Sequence, residues 1–356
     1  MSKYWSRIAQ SMEPYIPGEQ PKDKKYIKLN TNENPYPPSP KVLESLRAAA
    51  DPSLRLYPDP TCDELRTQIG RFYSLRKENV FLGNGSDEVL AFCFLAFFNP
   101  EKPILFPDVT YSFYPVYAQL FKINYESVPL DDHFSLPVER FLTKNGGVIF
   151  PNPNAPTGKY LSLDHVKTIL VHNPDSVVII DEAYIDFGGA SAVSLMRDFP
   201  NLLVVQTFSK SRSLAGLRIG FALGHEDLIA GLDRVKNSFN SYTLDRLALI
   251  GAREAIKDEA YFHETRNKII QTREKVSAHL RKLGFQVVPS QANFIFATHA
   301  QVKANALFQH LRDRGVLVRY FNKPRIDNYL RITIGTDAEM AAFLQKAAEI
   351  ISFLGS

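Results

Sequence analysis

The chain has 356 residues, of which 45% are apolar and 22% charged, and its formal net charge is +4. A chain of this length and composition can bury a large core and form two domains. Its lysines and arginines are spread along the sequence, and it carries no zinc-finger spacing and no RNA-binding aromatic motif. Nucleic acid is therefore not an expected partner.

The cysteine content and the N-terminal sequence indicate the cellular compartment of the protein. Cys62 and Cys93 are too few for a disulfide framework and too far apart for a metal site, so free thiols in a reducing cytoplasm are predicted. The N-terminus is polar and lacks the apolar core of a signal peptide. The most apolar segment, residues 89–98, is about half as long as a membrane span. The sequence predicts a cytoplasmic protein with neither a metal nor a membrane partner.

The first 40 residues are rich in Pro, Asn and Tyr, which predicts an irregular arm that packs partly with a small domain. Short apolar runs then alternate with amphipathic stretches such as residues 161–171, which has helical spacing. Continuous apolar runs are typical of strands buried on both faces. A large domain over residues 41–245 is predicted, with a mostly parallel sheet covered by helices. Its strand candidates are residues 80–82, 104–106, 148–150, 177–180, 202–205 and 219–222.

The remaining residues, 246–356, predict a smaller α+β domain. A long charged stretch over residues 252–283 predicts one helix that ends at Gly284. Shorter elements follow, namely strands at 285–288, 293–296, 316–319 and 330–333 and helices at 302–314 and 337–354. The predicted fold class is α/β, with a large α/β/α domain and a small α+β domain.

One lysine follows the buried run 202–205, in the pattern Ser-Lys-x-x-x-Leu-x-Gly-x-Arg-x-Gly from Ser209 to Gly220. Asp181 ends an earlier apolar run, and Tyr184 follows three residues later. Pyridoxal 5'-phosphate needs an amine for its aldehyde, a carboxylate for its ring nitrogen and a phenol for its ring oxygen. The sequence therefore predicts that Lys210 bonds to this cofactor. Its amine must be neutral to react, so burial and nearby positive charge are expected to lower its pKa.

Donors for a phosphate dianion are predicted in two places. Gly85, Ser86 and Asp87 follow a strand and open the apolar helix, so their backbone N–H groups favour an anion. A simple helix cap explains these three residues equally well. Ser209 and Arg218 complete the predicted phosphate site, because a guanidinium offers a fork of donors. Arg212 could add a further donor, but it is expected to point elsewhere. The predicted functional residues cluster just past the C-terminal ends of the predicted strands, where open α/β sheets place ligands.

Several further segments carry a family resemblance. They are residues 14–18, 29–35, 57–60, 83–88, 152–158 and 330–335. With the lysine motif and the motif from Asp181 to Tyr184, they resemble the histidinol-phosphate aminotransferase family of fold-type I pyridoxal-phosphate enzymes. The resemblance covers essentially the whole chain. It implies amino-group exchange between histidinol phosphate plus 2-oxoglutarate and imidazole-acetol phosphate plus glutamate, in histidine biosynthesis.

The resemblance also implies a homodimer with a shared active site and assigns roles to individual residues. Tyr57 would reach the cofactor phosphate of the partner, and Tyr111 would stack on the cofactor ring. The residues implied for the small-molecule substrate are Tyr15, Asn32, Arg319 and Arg331. A guanidinium suits both the phosphate of one substrate and the carboxylates of the other.

One position departs from the family pattern. The family carries asparagine directly before Pro-Thr-Gly, where it bonds the ring oxygen of the cofactor, whereas this chain has Ala155 there and Asn154 one residue earlier. Either Asn154 takes over this bond, or Tyr184 serves the ring oxygen alone.

Two other enzyme activities are compatible with these residues, and a third, non-enzymatic function is not expected. An aromatic amino-acid aminotransferase would share every catalytic residue named above and differ only in the shape of its pocket. A decarboxylase of a phosphorylated amino acid would hold the substrate carboxylate, not the α-hydrogen, perpendicular to the cofactor ring, and sequence does not show that geometry. A cofactor-binding regulator would need an added DNA-binding segment, for which the short arm leaves no room.

Overall fold

The secondary structure below is that of a computed structural model, which describes residues 3–355. In chain order the strands are β1 (Ile27–Lys28), β2 (Val80–Asn84), β3 (Ile104–Pro107), β4 (Tyr125–Val128), β5 (Val148–Pro151), β6 (Val178–Asp181), β7 (Leu202–Thr207), β8 (Ile219–Gly224), β9 (Phe285–Val288), β10 (Phe294–His299), β11 (Val316–Leu317), β12 (Arg319–Tyr320) and β13 (Leu330–Thr333). The α-helices are α1 (Arg7–Ser11), α2 (Pro40–Ala49), α3 (Asp63–Phe72), α4 (Gly85–Phe97), α5 (Phe113–Phe121), α6 (Leu163–His172), α7 (Glu226–Phe239), α8 (Arg246–Lys257), α9 (Glu259–Lys282), α10 (Ala304–Asp313) and α11 (Asp337–Gly355).

The large sheet has the strand order β2-β8-β7-β6-β5-β3-β4. Its pairs are parallel from β7 to β4, and β8 runs antiparallel to both of its neighbours. Neighbouring residues of β6 enter different cores, because Val178 and Ile180 join one hydrophobic cluster and Ile179 joins another. The predicted mostly parallel sheet, buried on both faces, is confirmed.

The small sheet is antiparallel throughout, with the order β12-β13-β10-β9. It packs with α9, α10 and α11 in a third hydrophobic cluster. The arm joins this part of the chain because β1 pairs in parallel with β11. None of the helices within residues 3–355 has the length and apolar character that a membrane crossing requires.

The single helix predicted over residues 252–283 is wrong, because α8 ends at Lys257 and α9 begins at Glu259. Between them Asp258 has ψ 66°, and its carboxylate accepts hydrogen bonds from Ser39 Oγ at 2.5 Å and Lys41 Nζ at 3.3 Å. These partners lie at the start of α2, so the break depends on a distant segment. The stop at Gly284 is confirmed, since that residue has a φ of +88°.

Two strand predictions also need correction. The run 316–319 forms two short strands in different sheets, β11 with the arm and β12 with β13. Strand β4 was not predicted, because three of its four residues are exposed at the edge of the sheet and give no apolar run.

Candidate active site

A cavity of about 450 Å³ lies at the carboxyl edge of the large sheet, facing the arm and the small sheet. Strands β5, β6 and β7 end there, and antiparallel β8 begins there, which brings Arg218 to the same edge. The predicted site residues in its wall are Tyr15, Asn32, Ser86, Asp87, Tyr111, Asp181, Tyr184, Ser209, Lys210, Arg218, Arg319 and Arg331. Gly85, Asn154 and Tyr57 are not part of this wall.

Lys210 follows β7 and projects its amine into the cavity. Its Nζ donates a hydrogen bond to the backbone oxygen of Thr31 at 3.2 Å and lies 5.9 Å from the ring centroid of Tyr184. Burial, and after it the positive charge of Arg331, lower the pKa of Lys210 to about 8. A substantial fraction of the amine is therefore neutral near pH 8, as a nucleophile requires.

Asp181 ends β6 and is almost fully buried. Its Oδ1 accepts a hydrogen bond from the backbone N–H of Ala183, and its Oδ2 accepts one from the hydroxyl of Tyr114, both at 3.1 Å. Burial raises the pKa of this carboxyl to about 6, and the two hydrogen bonds oppose that rise. A carboxylate held in this way suits a cationic partner such as a protonated ring nitrogen.

The phenol of Tyr184 lies against the arm. Asn32 Nδ2 donates to its oxygen at 2.9 Å, while Asn32 Oδ1 accepts from Thr333 Oγ1 at 3.0 Å. The backbone oxygen of Asn32 accepts a third hydrogen bond, from Asn293 Nδ2. Burial raises the pKa of Tyr184, against the opposing effects of Arg331 and Asn32. The phenol is neutral and fixed in direction, as a hydrogen-bond donor to a cofactor oxygen must be.

Donors for a phosphate come together where α4 meets β8. Gly85 has a φ of +82°, and a Cβ there would lie 2.3 Å from Arg218 Nη2. A Cβ on Gly220 would lie 2.3 Å from the backbone nitrogen of Ser86. The two glycines thus allow the helix N-terminus and the guanidinium to approach each other closely. Amide groups, Ser209 and Arg218 form a donor set that fits a phosphate dianion.

The side chain of Asp87 organises this corner of the cavity. Its Oδ1 accepts a hydrogen bond from the hydroxyl of Tyr111 at 2.7 Å, and its Oδ2 forms an ion pair with Arg218 at 3.1 Å. The ring of Tyr15 stacks on Phe113 at a centroid distance of 4.3 Å, beside Tyr111. An aromatic wall therefore adjoins the phosphate donors, in a place where a planar ring can stack.

Two guanidinium groups face the cavity from the small sheet. Arg331 donates to the backbone oxygen of Asn30 at 3.1 Å, and its buried Nε has no hydrogen-bond partner within residues 3–355. Arg319 donates to the backbone oxygens of Ile16 and Pro17 at 3.2 and 3.4 Å, which ties the arm to the cavity. An unpartnered buried N–H beside a second cation favours an anionic ligand.

Asn154 does not reach this cavity, which corrects its predicted place in the site. Its Nδ2 donates to the backbone oxygen of Val109 at 3.0 Å and to Thr157 Oγ1 at 2.9 Å, within the turn. It lines a neighbouring cavity of about 500 Å³ that contains neither Lys210 nor Asp181. Ala155 occupies the wall instead. Of the two alternatives for the ring oxygen, the structure brings only Tyr184 to the site.

Tyr57 and Arg212 also lie away from the cavity of their own chain. Tyr57 is 79% exposed and stacks on Tyr242 at 4.5 Å. The guanidinium of Arg212 lies 3.8 Å from the ring centroid of Phe262, and its Nη1 donates to the backbone oxygen of Ala255. Arg212 points elsewhere, as the sequence predicted.

Sequence reasoning missed several residues of the wall, among them Gln20, Thr31, Glu33 and Phe113. Thr31 and Glu33 flank Asn32 in the segment 29–35, so the motif itself could have indicated them. Gln20 lies two residues after the segment 14–18, and Phe113 lies two residues after Tyr111. Neither residue belongs to a sequence pattern that would mark it as part of a site.

Comparison with known proteins identifies the protein family to which this site belongs. The family of class I and II aminotransferases matches residues 24–346. This chain belongs to that family, and it is an enzyme of the transferase type.

Within this family, the chain is most informatively compared with relatives that match it over nearly its full length. The chain is 60% identical to a histidinol-phosphate aminotransferase of Clostridium acetobutylicum over 352 residues, which covers 99% of this chain and 100% of the relative. The resemblance drawn from the sequence motifs is confirmed.

Solved structures support the fold. A histidinol-phosphate aminotransferase from Sinorhizobium meliloti in complex with pyridoxal-5'-phosphate has a TM-score of 0.90 at 23% identity, with 99% of both chains covered. An L-threonine-O-3-phosphate decarboxylase from Porphyromonas gingivalis has a TM-score of 0.79 at 22% identity, with 92% of this chain and 99% of that chain covered. At such identities the likeness concerns the fold alone, and the predicted fold type is confirmed.

Proposed function

We propose that this enzyme binds pyridoxal 5'-phosphate and exchanges an amino group between histidinol phosphate and 2-oxoglutarate. The observation that carries the proposal is the convergence in one cavity of the Lys210 amine, the Asp181 carboxylate and the Tyr184 phenol. The 60% identity to histidinol-phosphate aminotransferases supports the choice of substrate.

Each residue has a defined task in this reaction. When bound, pyridoxal 5'-phosphate supplies an aldehyde for the amino group and a ring that withdraws electrons from the substrate α-carbon. Asp181 would hold the proton on the ring nitrogen, and Tyr184 would donate a hydrogen bond to the ring oxygen. In its neutral form, which the lowered pKa makes accessible near pH 8, Lys210 Nζ would take the proton from the substrate α-carbon and later return a proton as a general acid.

The arginines account for substrates of two different shapes. Histidinol phosphate carries a phosphate, whereas 2-oxoglutarate and glutamate carry carboxylates. Arg331 and Arg319 both line the cavity and lie against the same ring, Phe321, and a guanidinium binds either anion by donating parallel hydrogen bonds to it. Tyr15 and Asn32 would complete this end of the pocket, Asn32 through its bond to Tyr184.

A single-turnover assay on the holoprotein tests the proposal. Histidinol phosphate, glutamate and phenylalanine are mixed in separately, and loss of the visible absorbance of the holoprotein is followed. Fast change with histidinol phosphate and glutamate and much slower change with phenylalanine are expected. Fast change with phenylalanine alone would instead identify an aromatic amino-acid aminotransferase. Release of carbon dioxide from a phosphorylated amino acid would identify a decarboxylase.

We further propose that the enzyme acts in the cytoplasm as a homodimer in which Tyr57 serves the partner's site. Tyr57 does not line the cavity of its own chain, and it is exposed beside other exposed apolar side chains. It stacks on Tyr242, and it lines a surface cavity together with Leu54 and Leu56. Exposed apolar side chains of this number are typical of an interface between subunits.

Complementation between two inactive variants tests this arrangement. Tyr57→Ala and Lys210→Ala chains are mixed, unfolded and refolded together. If Tyr57 acts across the interface, a mixed dimer holds one site with both residues intact, and activity returns. If Tyr57 acts within its own chain, no site is restored and the mixture stays as weak as the separate variants.

A further inference from the structure

A buried tyrosine outside the cavity contacts Asp181, the carboxylate that would hold the ring nitrogen of the cofactor. Tyr114 lies in the first turn of α5, its side chain is fully buried, and it does not line the cavity. Its hydroxyl donates to Asp181 Oδ2 at 3.1 Å. Because Ala183 N–H occupies Oδ1, the carboxylate is held at both oxygens.

The same tyrosine touches a second wall of the site. Its ring meets Tyr111 edge to face, at a centroid distance of 5.8 Å and an interplanar angle of 89°. Tyr111 lines the cavity where a planar ring can stack. One side chain therefore links the group that would hold the ring nitrogen to the group that would cover the ring face.

The buried environment of Tyr114 and the charges near Asp181 determine the protonation state of each group. Burial raises the pKa of Tyr114 well above its usual value, so its hydroxyl stays protonated and donates. Burial likewise raises the pKa of the nearby Cys93 thiol, which stays neutral. Asp87 favours the protonated form of Asp181, whereas Lys210 and the Tyr114 hydrogen bond favour the carboxylate. Among the side chains of residues 3–355, that of Tyr114 alone donates a hydrogen bond to this carboxylate.

We propose that Tyr114 is a positioning residue that holds Asp181 as a carboxylate aimed at the ring nitrogen of the cofactor. This inference rests on the proposed function, since it requires pyridoxal 5'-phosphate in the cavity. A hydrogen bond to a charged group is stronger than one between neutral groups. Without the hydroxyl, Asp181 becomes more basic and competes with the ring nitrogen for the shared proton.

The test is Tyr114→Phe, which removes one oxygen and keeps the ring. The cofactor is labelled with ¹⁵N in its ring, and its chemical shift in the holoprotein reports whether the nitrogen is protonated. We expect a shift toward the unprotonated value and a rise of about tenfold in the Kd of the cofactor.

Tyr117→Phe is the matched control. Tyr117 lies on the same helix and is also buried, but its hydroxyl donates to the backbone oxygen of Asp87 at 2.9 Å. It should lower the Tm as Tyr114→Phe does and leave the ¹⁵N shift as in the wild type. If Tyr114→Phe also lowers the Tm without moving the ¹⁵N shift, Tyr114 is only structural and the inference is wrong.

A second measurement shows whether Tyr114 acts through Asp181. In an Asp181→Ala background, Tyr114→Phe should no longer change the Kd of the cofactor, because the group it positions is gone. An undiminished effect would overturn the inference while leaving the proposed function intact. Wild-type protein that takes up no pyridoxal 5'-phosphate would overturn both.

Discussion

Asn32 Nδ2 donates a hydrogen bond of 2.9 Å to the phenol oxygen of Tyr184, 152 positions further along the chain. Asn32 is itself fixed by Thr333 of β13 and by Asn293. A side chain of the arm, held by residues in and next to the small sheet, thus orients a phenol that follows a strand of the large sheet.

Loss of this bond should weaken catalysis. Asn32→Ala removes a donor to Tyr184, and we expect kcat/KM to fall about tenfold, the equivalent of one buried hydrogen bond. Steady-state kinetics with histidinol phosphate measures the effect. In a Tyr184→Phe background the same substitution should cost much less, because the two residues act as a unit. Fully additive effects would show that Asn32 acts independently of Tyr184.

The reactivity of Lys210 should follow its lowered pKa. In the protein freed of cofactor, the rate of capture of pyridoxal 5'-phosphate should rise with pH around a midpoint of about 8 rather than the ordinary 10.5, because only the neutral amine reacts. Arg331→Gln should move this midpoint upward, since the positive charge of Arg331 lowers the pKa. Stopped-flow absorbance over a pH series measures both.

Arg319→Gln is the control for this prediction. Arg319 also lines the cavity, but its charge affects the pKa of Lys210 less than the charge of Arg331 does. Its substitution should leave the midpoint near the wild-type value. A midpoint that does not respond to the loss of Arg331 would refute this account of how the amine is kept neutral.

The close approach of β8 to α4 predicts a sharp difference between two glycines. Gly220→Ala places a Cβ 2.3 Å from the Ser86 nitrogen, so the helix N-terminus must move. We expect a loss of about 2 kcal/mol in the free energy of unfolding and weaker cofactor binding. Gly216→Ala is the control, because nothing lies within 4 Å of its added Cβ. Denaturant unfolding and cofactor titration compare the two, and similar results for both variants would contradict the prediction.

Substitutions of the two arginines of the lysine motif should affect different properties, one the stability of the fold and the other the binding of the cofactor. Arg212 is held between Phe262 and Phe72, whereas Arg218 lines the cavity beside Asp87. Arg212→Met should cost about 2 kcal/mol of unfolding free energy and leave the cofactor Kd unchanged. Arg218→Met should weaken cofactor binding by tenfold or more, with a smaller effect on the Tm. Thermal unfolding and equilibrium dialysis distinguish the two, and the reverse pattern would exchange their roles.

Local sequence predicted the strands of the large sheet well because burial on both faces requires continuous apolar runs. It did not predict β4, whose exposed edge position imposes no such run. The break at Asp258 was also missed, since the residues that bind its carboxylate belong to α2 and the residue before it. Folding brings these distant partners to Asp258, so the sequence around residue 258 shows no change in its helical periodicity.

The catalytic groups could be predicted without a structure, because a lysine, a carboxylate and a phenol at fixed places after buried strands form a recognisable pattern, here Lys210, Asp181 and Tyr184. The folded chain was needed to show that Asn154 turns into its own loop while Asn32 reaches Tyr184. It was needed as well to show that Tyr114 contacts Asp181. Hydrogen bonds between distant segments depend on where folding places each backbone, and no local pattern of residues records that placement.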